Sequence, residues 1–206
     1  KKEIDRISLD EALATLADNI SASDVPIELS SFDNFVQDIL SLSYPNYSFK
    51  SWHIRKVANF LDEVLASESK MAEVVLPRYH LKSTLCGYGF AIYQMLTSFG
   101  DGLYVSYKDE LTSFHMGNIK EVVRVNPILS KFMVDLNPRS ESNISYRIGH
   151  KKVKIFGSGI FAMKRGIHTN SCVIGDDLLG TMENPLILTE LEKAERMFNH
   201  EVINIP

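Results

Sequence analysis

The stretch Val74-Val75-Leu76-Pro77-Arg78-Tyr79-His80-Leu81-Lys82-Ser83-Thr84 decides the fold that we expect for this chain. The apolar run Ala72–Leu76 predicts a buried strand, and the apolar periodicity after the loop predicts a helix over Ser83–Thr97. A strand followed by a loop and a Lys-Ser at a helix start is typical of a nucleotide-binding loop. The free N–H groups and the dipole of a helix N-terminus attract phosphates there.

The loop meets the pattern G-x-x-x-x-G-K-[ST] only in part, because Leu76 and Leu81 occupy both glycine positions. In a full match the lysine, here Lys82, reaches the β- and γ-phosphate oxygens, and the hydroxyl of the next residue, here Ser83, ligates Mg²⁺. The alternative is a lysine that begins a helix without any ligand, since Lys-Ser-Thr is a common tripeptide.

Strands and helices alternate beyond residue 70. The patterns predict further strands at Leu103–Tyr107, Ile144–Ile148, Val153–Phe156 and Ser171–Asp176, helices at Glu110–Val123 and Leu186–His200, and an irregular stretch at Asn126–Ser140. Such an alternation indicates an α/β fold, with a mostly parallel central sheet and helices on both faces.

Residues 1–68 carry helical patterns instead. We expect a first helix near residues 9–20, a second marked by Phe32, Phe35 and Leu40, and a third over about 52–66 with Ser51 as its cap. This divides the chain into an N-terminal helical extension, residues 1–68, and a nucleotide-binding core, residues 69–206.

Composition excludes several other classes of protein. The chain has 206 residues, a net charge of −4, 45% apolar and 23% charged residues, which is typical of a globular protein and not of a disordered or fibrous one. No window approaches the roughly 18 apolar residues of a membrane span. The start, Lys1-Lys2-Glu3, has neither a signal-peptide core nor a Met, so we expect a trimmed fragment. Cys86 and Cys172 lie far apart, which fits a reducing cytosol.

A second informative segment is Cys172-Val173-Ile174-Gly175-Asp176-Asp177. Adjacent acids after a buried strand suit the other half of an NTPase site, with Asp176 in the Mg²⁺ shell and Asp177 polarising the attacking water. The alternative is an aspartate that caps a loop. Both segments end predicted strands at the carboxyl edge, where ligands bind in open α/β sheets.

Taken together, these segments resemble large terminase subunits, the motors that pump DNA into tailed-phage capsids. Pro77-Arg78-x-x-x-Lys82-Ser83 resembles their arginine-bearing, glycine-poor Walker A loop, and the acidic strand end resembles their Walker B motif. Three further segments resemble the same family: His53-Ile54-Arg55, the strand and helix around Lys108-Asp109-Glu110-Leu111, and Lys164-Arg165-Gly166-Ile167-His168.

The resemblance implies a role for individual residues. Lys82 would contact the β/γ-phosphates, Ser83 and Asp176 would hold Mg²⁺, and Asp177 would orient the water. Arg78 would sense or stabilise the γ-phosphate, and Arg165 matches the position of an arginine finger inserted into a neighbouring subunit's site. The implied ATP-binding loop comprises Pro77, Arg78, Tyr79, His80, Leu81, Lys82, Ser83 and Thr84.

The implied activity is hydrolysis of ATP with Mg²⁺ to translocate double-stranded DNA into a procapsid, in the host cytoplasm and with no membrane partner. The implied partners are DNA, the portal protein, the small terminase subunit and further copies in a ring, with a monomer as the alternative for the isolated chain. A complete member would continue into a coupling motif and a nuclease domain, so we expect a motor domain cut short and no nuclease activity.

Other interpretations remain open at this stage. The chain could be another DNA-directed ATPase of helicase type, or a nucleotide- or DNA-binding module without hydrolysis. The basic run from Arg147 to Arg165 could track DNA, meet a neighbouring subunit, or be solvated surface. A two-metal nuclease cluster of Asp176, Asp177 and Glu183 is disfavoured, because consecutive strand residues point to opposite faces.

Two further residue types suggest no separate site. The six histidines show no HxH or HExxH spacing, so we expect no histidine-based metal site. The aromatic residues Tyr44, Tyr47 and Trp52 could stack on adenine, but core packing is the favoured explanation.

Overall fold

The computed structural model describes residues 29–68, 71–163 and 169–178, together with the single positions 189, 192 and 193. The predicted helix near residues 9–20 lies outside these ranges. Of the predicted helix Leu186–His200, only Thr189, Glu192 and Lys193 are described, and each is helical.

The described chain has a mixed α/β fold around a five-stranded sheet. The strands are β1 (Gly102–Ser106), β2 (Met133–Asp135), β3 (Asn143–Ile148), β4 (Lys151–Gly159) and β5 (Val173–Gly175), in the spatial order β2-β3-β4-β1-β5. β1 pairs parallel with β4 and β5, as predicted for the core of the sheet. The β2–β3–β4 end is antiparallel. For β3 and β4 the reason is local, because the two-residue turn at Gly149 (φ 57°) can join only antiparallel strands.

Helices pack on the sheet, most of them close to the predicted positions. They are α1 (Phe32–Asp38), α2 (Trp52–Ala66), α3 (Phe90–Thr97), α4 (Asp109–Val125) and α5 (Leu129–Phe132), with a short 3₁₀ helix at Leu40–Ser43 and a π-helix at Ser83–Gly89 that leads into α3. However, α5 and strand β2 lie in the stretch Asn126–Ser140 that was predicted to be irregular. The bounds of α2 match the prediction. Ser51 occupies its N-cap position, but the Ser51 hydroxyl donates to the carbonyl of Ser48 and not to the helix.

One hydrophobic core joins these five α-helices to one face of the sheet. α4 contributes an apolar stripe at helical spacing, which includes Met116, Ile119 and Val123, and the sheet contributes Tyr104 and Ile155. The opposite sheet face carries a smaller cluster around Leu103, Val105 and Ile160. The five α-helices all pack on the first face. On the second, Lys193, one of the described helical positions, lies 5.3 Å from the ring centroid of Phe161, which packs against the smaller cluster.

The predicted strand Ala72–Leu76 is wrong. Residues 71–77 are extended but belong to no sheet. Val74 and Leu76 pack against the core, while the Val75 side chain between them is 81% exposed. The alternation of a strand is therefore present, but this segment pairs with none of the described strands, and pairing is what stabilises a strand.

The N-terminal helices share the core of the sheet. Phe32 of α1 and Ile54 of α2 belong to the same cluster as Tyr104 of β1. The Asp62 carboxylate of α2 accepts hydrogen bonds from the backbone N–H groups of Phe32 (2.6 Å) and Asp33 (3.1 Å), which fixes α1 onto α2. The predicted boundary between residues 1–68 and 69–206 stays a prediction.

Two smaller expectations can be compared with the described residues. Cys86 and Cys172 are free thiols, and burial raises the pKa of each to about 12. Among the described helices none has the length and apolar character that a bilayer crossing requires.

Candidate functional site

The structure brings the two informative segments together at the carboxyl edge of the sheet. The Lys82 Nζ atom lies 2.7 Å from Oδ1 of Asp176 and 3.1 Å from Oδ1 of Asp177. The Ser83 hydroxyl lies close enough to the Asp176 carboxyl to lower its pKa. Four residues singled out from the sequence thus form one cluster, although they come from segments far apart in the chain.

The position of the two acids follows from how β5 ends. The backbone N–H of Asp176 still donates to the carbonyl of Val105 in β1 (2.9 Å), so Asp176 continues the ladder. Asp177 then adopts a φ of 50°, in the left-handed region, and leaves the strand. The expectation that Asp176 and Asp177 point to opposite faces is therefore wrong, and both carboxylates contact Lys82.

Asp176 is buried and ionised. Burial alone would raise the pKa of its carboxyl, but the hydrogen bonds from Lys82 and Ser83 and the charge of Lys82 lower the pKa below its ordinary value. A further donor is the Tyr104 hydroxyl, 3.1 Å from the other carboxylate oxygen. Burial and the nearby Asp176 charge raise the pKa of Tyr104, so this phenol stays protonated and can donate.

Lys82 is charged as well. Burial tends to lower its pKa, yet the hydrogen bonds and charges of Asp176 and Asp177 outweigh burial, and the pKa lies above the ordinary value. An ammonium group between two carboxylates can shift to other anions when these become available, because the lysine side chain is long and flexible.

The loop before Lys82 holds an unusual backbone. Leu81, at the position where glycine is common, has a φ of 59°, and Tyr79 has a φ of 65°. Both lie in the left-handed region that glycine adopts without strain and that costs other residues about 1–2 kcal/mol. Leu81 thus takes the glycine-like conformation without being glycine, and the helix that follows opens as a π-helix, a feature frequent at functional sites.

The remaining predicted residues lie around the cluster or outside the described chain. Pro77, Arg78, Tyr79 and His80 are exposed. Arg78 forms no ion pair with the described residues. Thr84 lies beside Tyr44: burial raises the pKa of that phenol to about 12, and the Thr84 hydroxyl offsets part of the rise. Arg165 and its neighbours Lys164 to His168, like Glu183, lie outside the described residues.

The residues upstream of the loop divide between the site and the core. His53 stacks edge-on against His80 of the loop, with ring centroids 5.4 Å apart, whereas Arg55 pairs with Asp33 at 3.2 Å. The expectation of core packing fails for Trp52 and Tyr47, which are 77% and 58% exposed. Trp52 is the first residue of α2, and Tyr47 lies in the turn that precedes this helix.

Sequence reasoning missed four polar residues that contact this cluster or each other. They are Tyr88 of the π-helix, Tyr104 of β1, and His115 and Asn118 of α4. The one available signal was His115, a polar residue within the apolar stripe of α4. Tyr104 reaches Asp176 because residue 87 is glycine: a Cβ there would meet the Tyr104 hydroxyl at 2.6 Å.

Three side chains of the types that bind cations lie together, and one of them is a histidine that the sequence analysis did not expect. One potential ligand atom from each of His115, Asp176 and Asp177 lies within 4.8 Å of the other two. The carboxylate of Asp176 with the Ser83 hydroxyl also fits Mg²⁺, which prefers oxygen ligands. A cavity of about 380 Å³ lies beside Tyr88, Asn118 and Thr84, and none of the acid-pair residues lines it.

Comparison with known proteins gives no relative: no protein-family model, curated protein or solved structure matches this chain.

Proposed function

We propose that the chain is the ATPase motor domain of a viral large terminase, a P-loop NTPase that hydrolyses ATP with Mg²⁺ to move double-stranded DNA. The single observation that carries the proposal is the junction of Lys82 and Ser83 with Asp176 and Asp177 at the carboxyl edge of β5. A lysine and hydroxyl at a helix start, facing consecutive acids after a strand, are the parts that phosphoryl transfer needs.

The chemistry assigns each residue a step. Lys82 leaves the acid pair for the β- and γ-phosphate oxygens, where its positive charge offsets the negative charge of the transition state. The Ser83 hydroxyl and Asp176 would hold Mg²⁺, which supplies further charge neutralisation on the phosphate oxygens. Asp177, more exposed than Asp176, accepts a proton from the attacking water. Arg78 and, from a neighbouring subunit, Arg165 contribute guanidinium charges to the γ-phosphate.

A basic surface on β3 and β4 supports a polyanionic partner. Arg147 and Lys152 are exposed and lie directly opposite each other in the antiparallel register, and Lys154 lies on the same face. Like charges directly opposite each other repel and destabilise the strand pair, so an anion bound between them would relieve this repulsion. DNA phosphates fit this requirement, and the chain would act in the host cytoplasm, docked through portal and small terminase partners.

The test of hydrolysis is a phosphate-release assay with Mg-ATP, with and without double-stranded DNA. Lys82→Ala and Asp177→Ala are expected to lower kcat at least about 100-fold, because each removes a group that acts on the transition state. The matched control is Lys131→Ala, an exposed lysine on α5, which should leave the rate unchanged. Full turnover in Lys82→Ala would reject the site, and ATP binding without release in the wild type would favour a non-hydrolysing module.

The test of DNA binding uses the slope of affinity against salt concentration. Arg147→Ala and Lys152→Ala should each remove one phosphate contact and so reduce the magnitude of that slope by about one. Each should weaken binding equally for all DNA sequences. Lys131→Ala is again the control. Unchanged slopes in both variants would show that the basic surface on β3 and β4 does not contact DNA.

A further inference from the structure

His115 is a buried histidine with one unused nitrogen. His115 is only 3% exposed and lies on the buried face of α4. The Nδ1 atom lies 2.8 Å from the Tyr88 hydroxyl, and the Nε2 atom has no hydrogen-bond partner among the described residues. A buried polar atom without a partner costs about 1–3 kcal/mol, so a structure keeps one only where something else compensates.

The hydrogen bonds around Tyr88 determine which nitrogen of His115 carries the proton. The Asn118 amide N–H₂ group can only donate, and it donates to the Tyr88 hydroxyl at 3.0 Å. The single proton of that hydroxyl is then available to His115, whose Nδ1 accepts it. An Nδ1 atom that accepts a hydrogen bond carries no proton, so the ring proton lies on Nε2. The unused atom is therefore an N–H donor.

The acids of the site lie close to the His115 ring and can accept from this donor. A ring nitrogen of His115 and carboxylate oxygens of Asp176 and Asp177 lie within 4.8 Å of one another. Asp176 already has Lys82, Ser83 and Tyr104 as donors, whereas Asp177 has Lys82 alone among the described residues. The Asp177 side chain is also the more exposed of the two, at 48%, and free to turn.

We propose that His115 is a positioning residue whose Nε2–H holds the Asp177 carboxylate once Lys82 leaves the acid pair. This rests on the proposed function, in which Lys82 moves to the nucleotide. The exchange replaces one donor by another, so Asp177 keeps a fixed orientation toward water at the moment when its lysine partner is withdrawn. Tyr88 and Asn118 serve the exchange by fixing the proton on Nε2.

The first test needs no nucleotide and no activity. Two-bond ¹⁵N–¹H spectra of the histidine-labelled chain should report the Nε2–H form for His115. Lys82→Met and Lys82→Gln remove the competing ammonium, and both should move the Nε2 proton downfield. Adding Asp177→Ala to either variant should cancel that shift. A proton on Nδ1 would instead leave Nε2 as a metal ligand and overturn the proposal, as would an unchanged spectrum in both lysine variants.

The second test separates positioning from structure through matched variants. His115→Phe keeps the ring volume without a donor and should lower kcat about 10- to 100-fold at unchanged KM for ATP. His115→Gln places an amide N–H near the Nε2 position and should stay within about 3-fold of the wild type. Equal kcat in wild type and His115→Phe, or equal loss in both variants, would reject the role. If the wild type releases no phosphate, the proposed function fails, and the spectra still decide the role of His115.

Discussion

The two halves of the candidate site differ in how the chain holds them. The acid half, Asp176 with its neighbours, is tied to β1 by a backbone hydrogen bond to Val105 and by the hydroxyl of Tyr104. The loop half, residues 71–81, is largely exposed, pairs with none of the described strands and contains two residues in the left-handed region. Lys82 connects them through its ion pairs. A rigid acid half and a weakly held loop suit a site where the cation must move and the acids must not.

The largest expected difference between the halves is in amide hydrogen exchange. The amides of residues 71–76 have no ladder partner in the described sheet, while those of β1 are fully buried and paired on both sides. We expect protection factors in β1 to exceed those in the loop by at least about 1,000-fold, because the loop opens locally. Mass-spectrometric exchange on overlapping peptides measures this. Comparable protection in the two segments would contradict the contrast.

Packing at the acid half is tested by Gly87→Ala. A Cβ at Gly87 meets the Tyr104 hydroxyl at 2.6 Å and pushes it from Asp176, so we expect a loss of about 1–3 kcal/mol in the free energy of unfolding. Gly117→Ala is the matched control, since nothing lies within 4 Å of a Cβ there and α4 gains about 0.5–1 kcal/mol. Urea titration measures both, and equal effects would show that Tyr104 does not hold Asp176.

The acid half also predicts a pH dependence. The folded pKa of Asp176 lies below its unfolded value of about 3.9, so its contribution to stability is complete above that value and is lost as pH falls through the folded pKa. The Asp176→Asn variant has no carboxyl group at this position and therefore lacks this contribution to stability. The free energy of unfolding of the wild type, relative to Asp176→Asn, should therefore decline as pH falls below about 4. A relative gain on acidification would reverse the sign and refute the ionised state.

The smallest effect is expected in the loop itself. Leu81→Gly stabilises the fold by removing about 1–2 kcal/mol of left-handed strain. It also destabilises the fold, because packing is lost and glycine makes the unfolded chain more favourable by about 0.5–1 kcal/mol. The net change in stability should therefore be less than about 1 kcal/mol. Leu81→Ala keeps the strain and loses the packing. It should therefore be less stable than Leu81→Gly by about 1 kcal/mol, as thermal unfolding can show. The reverse order would mean that Leu81 is not strained.

Much of the fold followed from periodicity. α4 and β1 were predicted within about two residues, because an apolar stripe and a fully apolar run are strong local signals. The predicted strand Ala72–Leu76 does not form: Val74 and Leu76 pack inward and Val75 outward, but pairing is a property of the whole sheet. Local sequence can indicate an extended segment, but it cannot supply the partner.

The site was predictable in part for a similar reason. The sequence marks four residues by their type and by their position at the end of a predicted strand or the start of a predicted helix: Lys82, Ser83, Asp176 and Asp177. The structure brings these four together. The shared placement of the two acids depends on the φ of Asp177, which strand alternation does not foresee. Tyr104 and His115 reach the site from elements that meet only in the folded chain, so no spacing in the sequence marks them.

The central claim is that Lys82 and the acid pair form a nucleotide site, and calorimetric titration of Mg-ATP into the full chain tests it most directly. The account predicts one binding site in the wild type and in Lys131→Ala, and at least about a 10-fold weaker affinity in Lys82→Ala, which loses a charge-assisted phosphate contact. Equal affinity in wild type and Lys82→Ala, or no binding in any of the three, would contradict it.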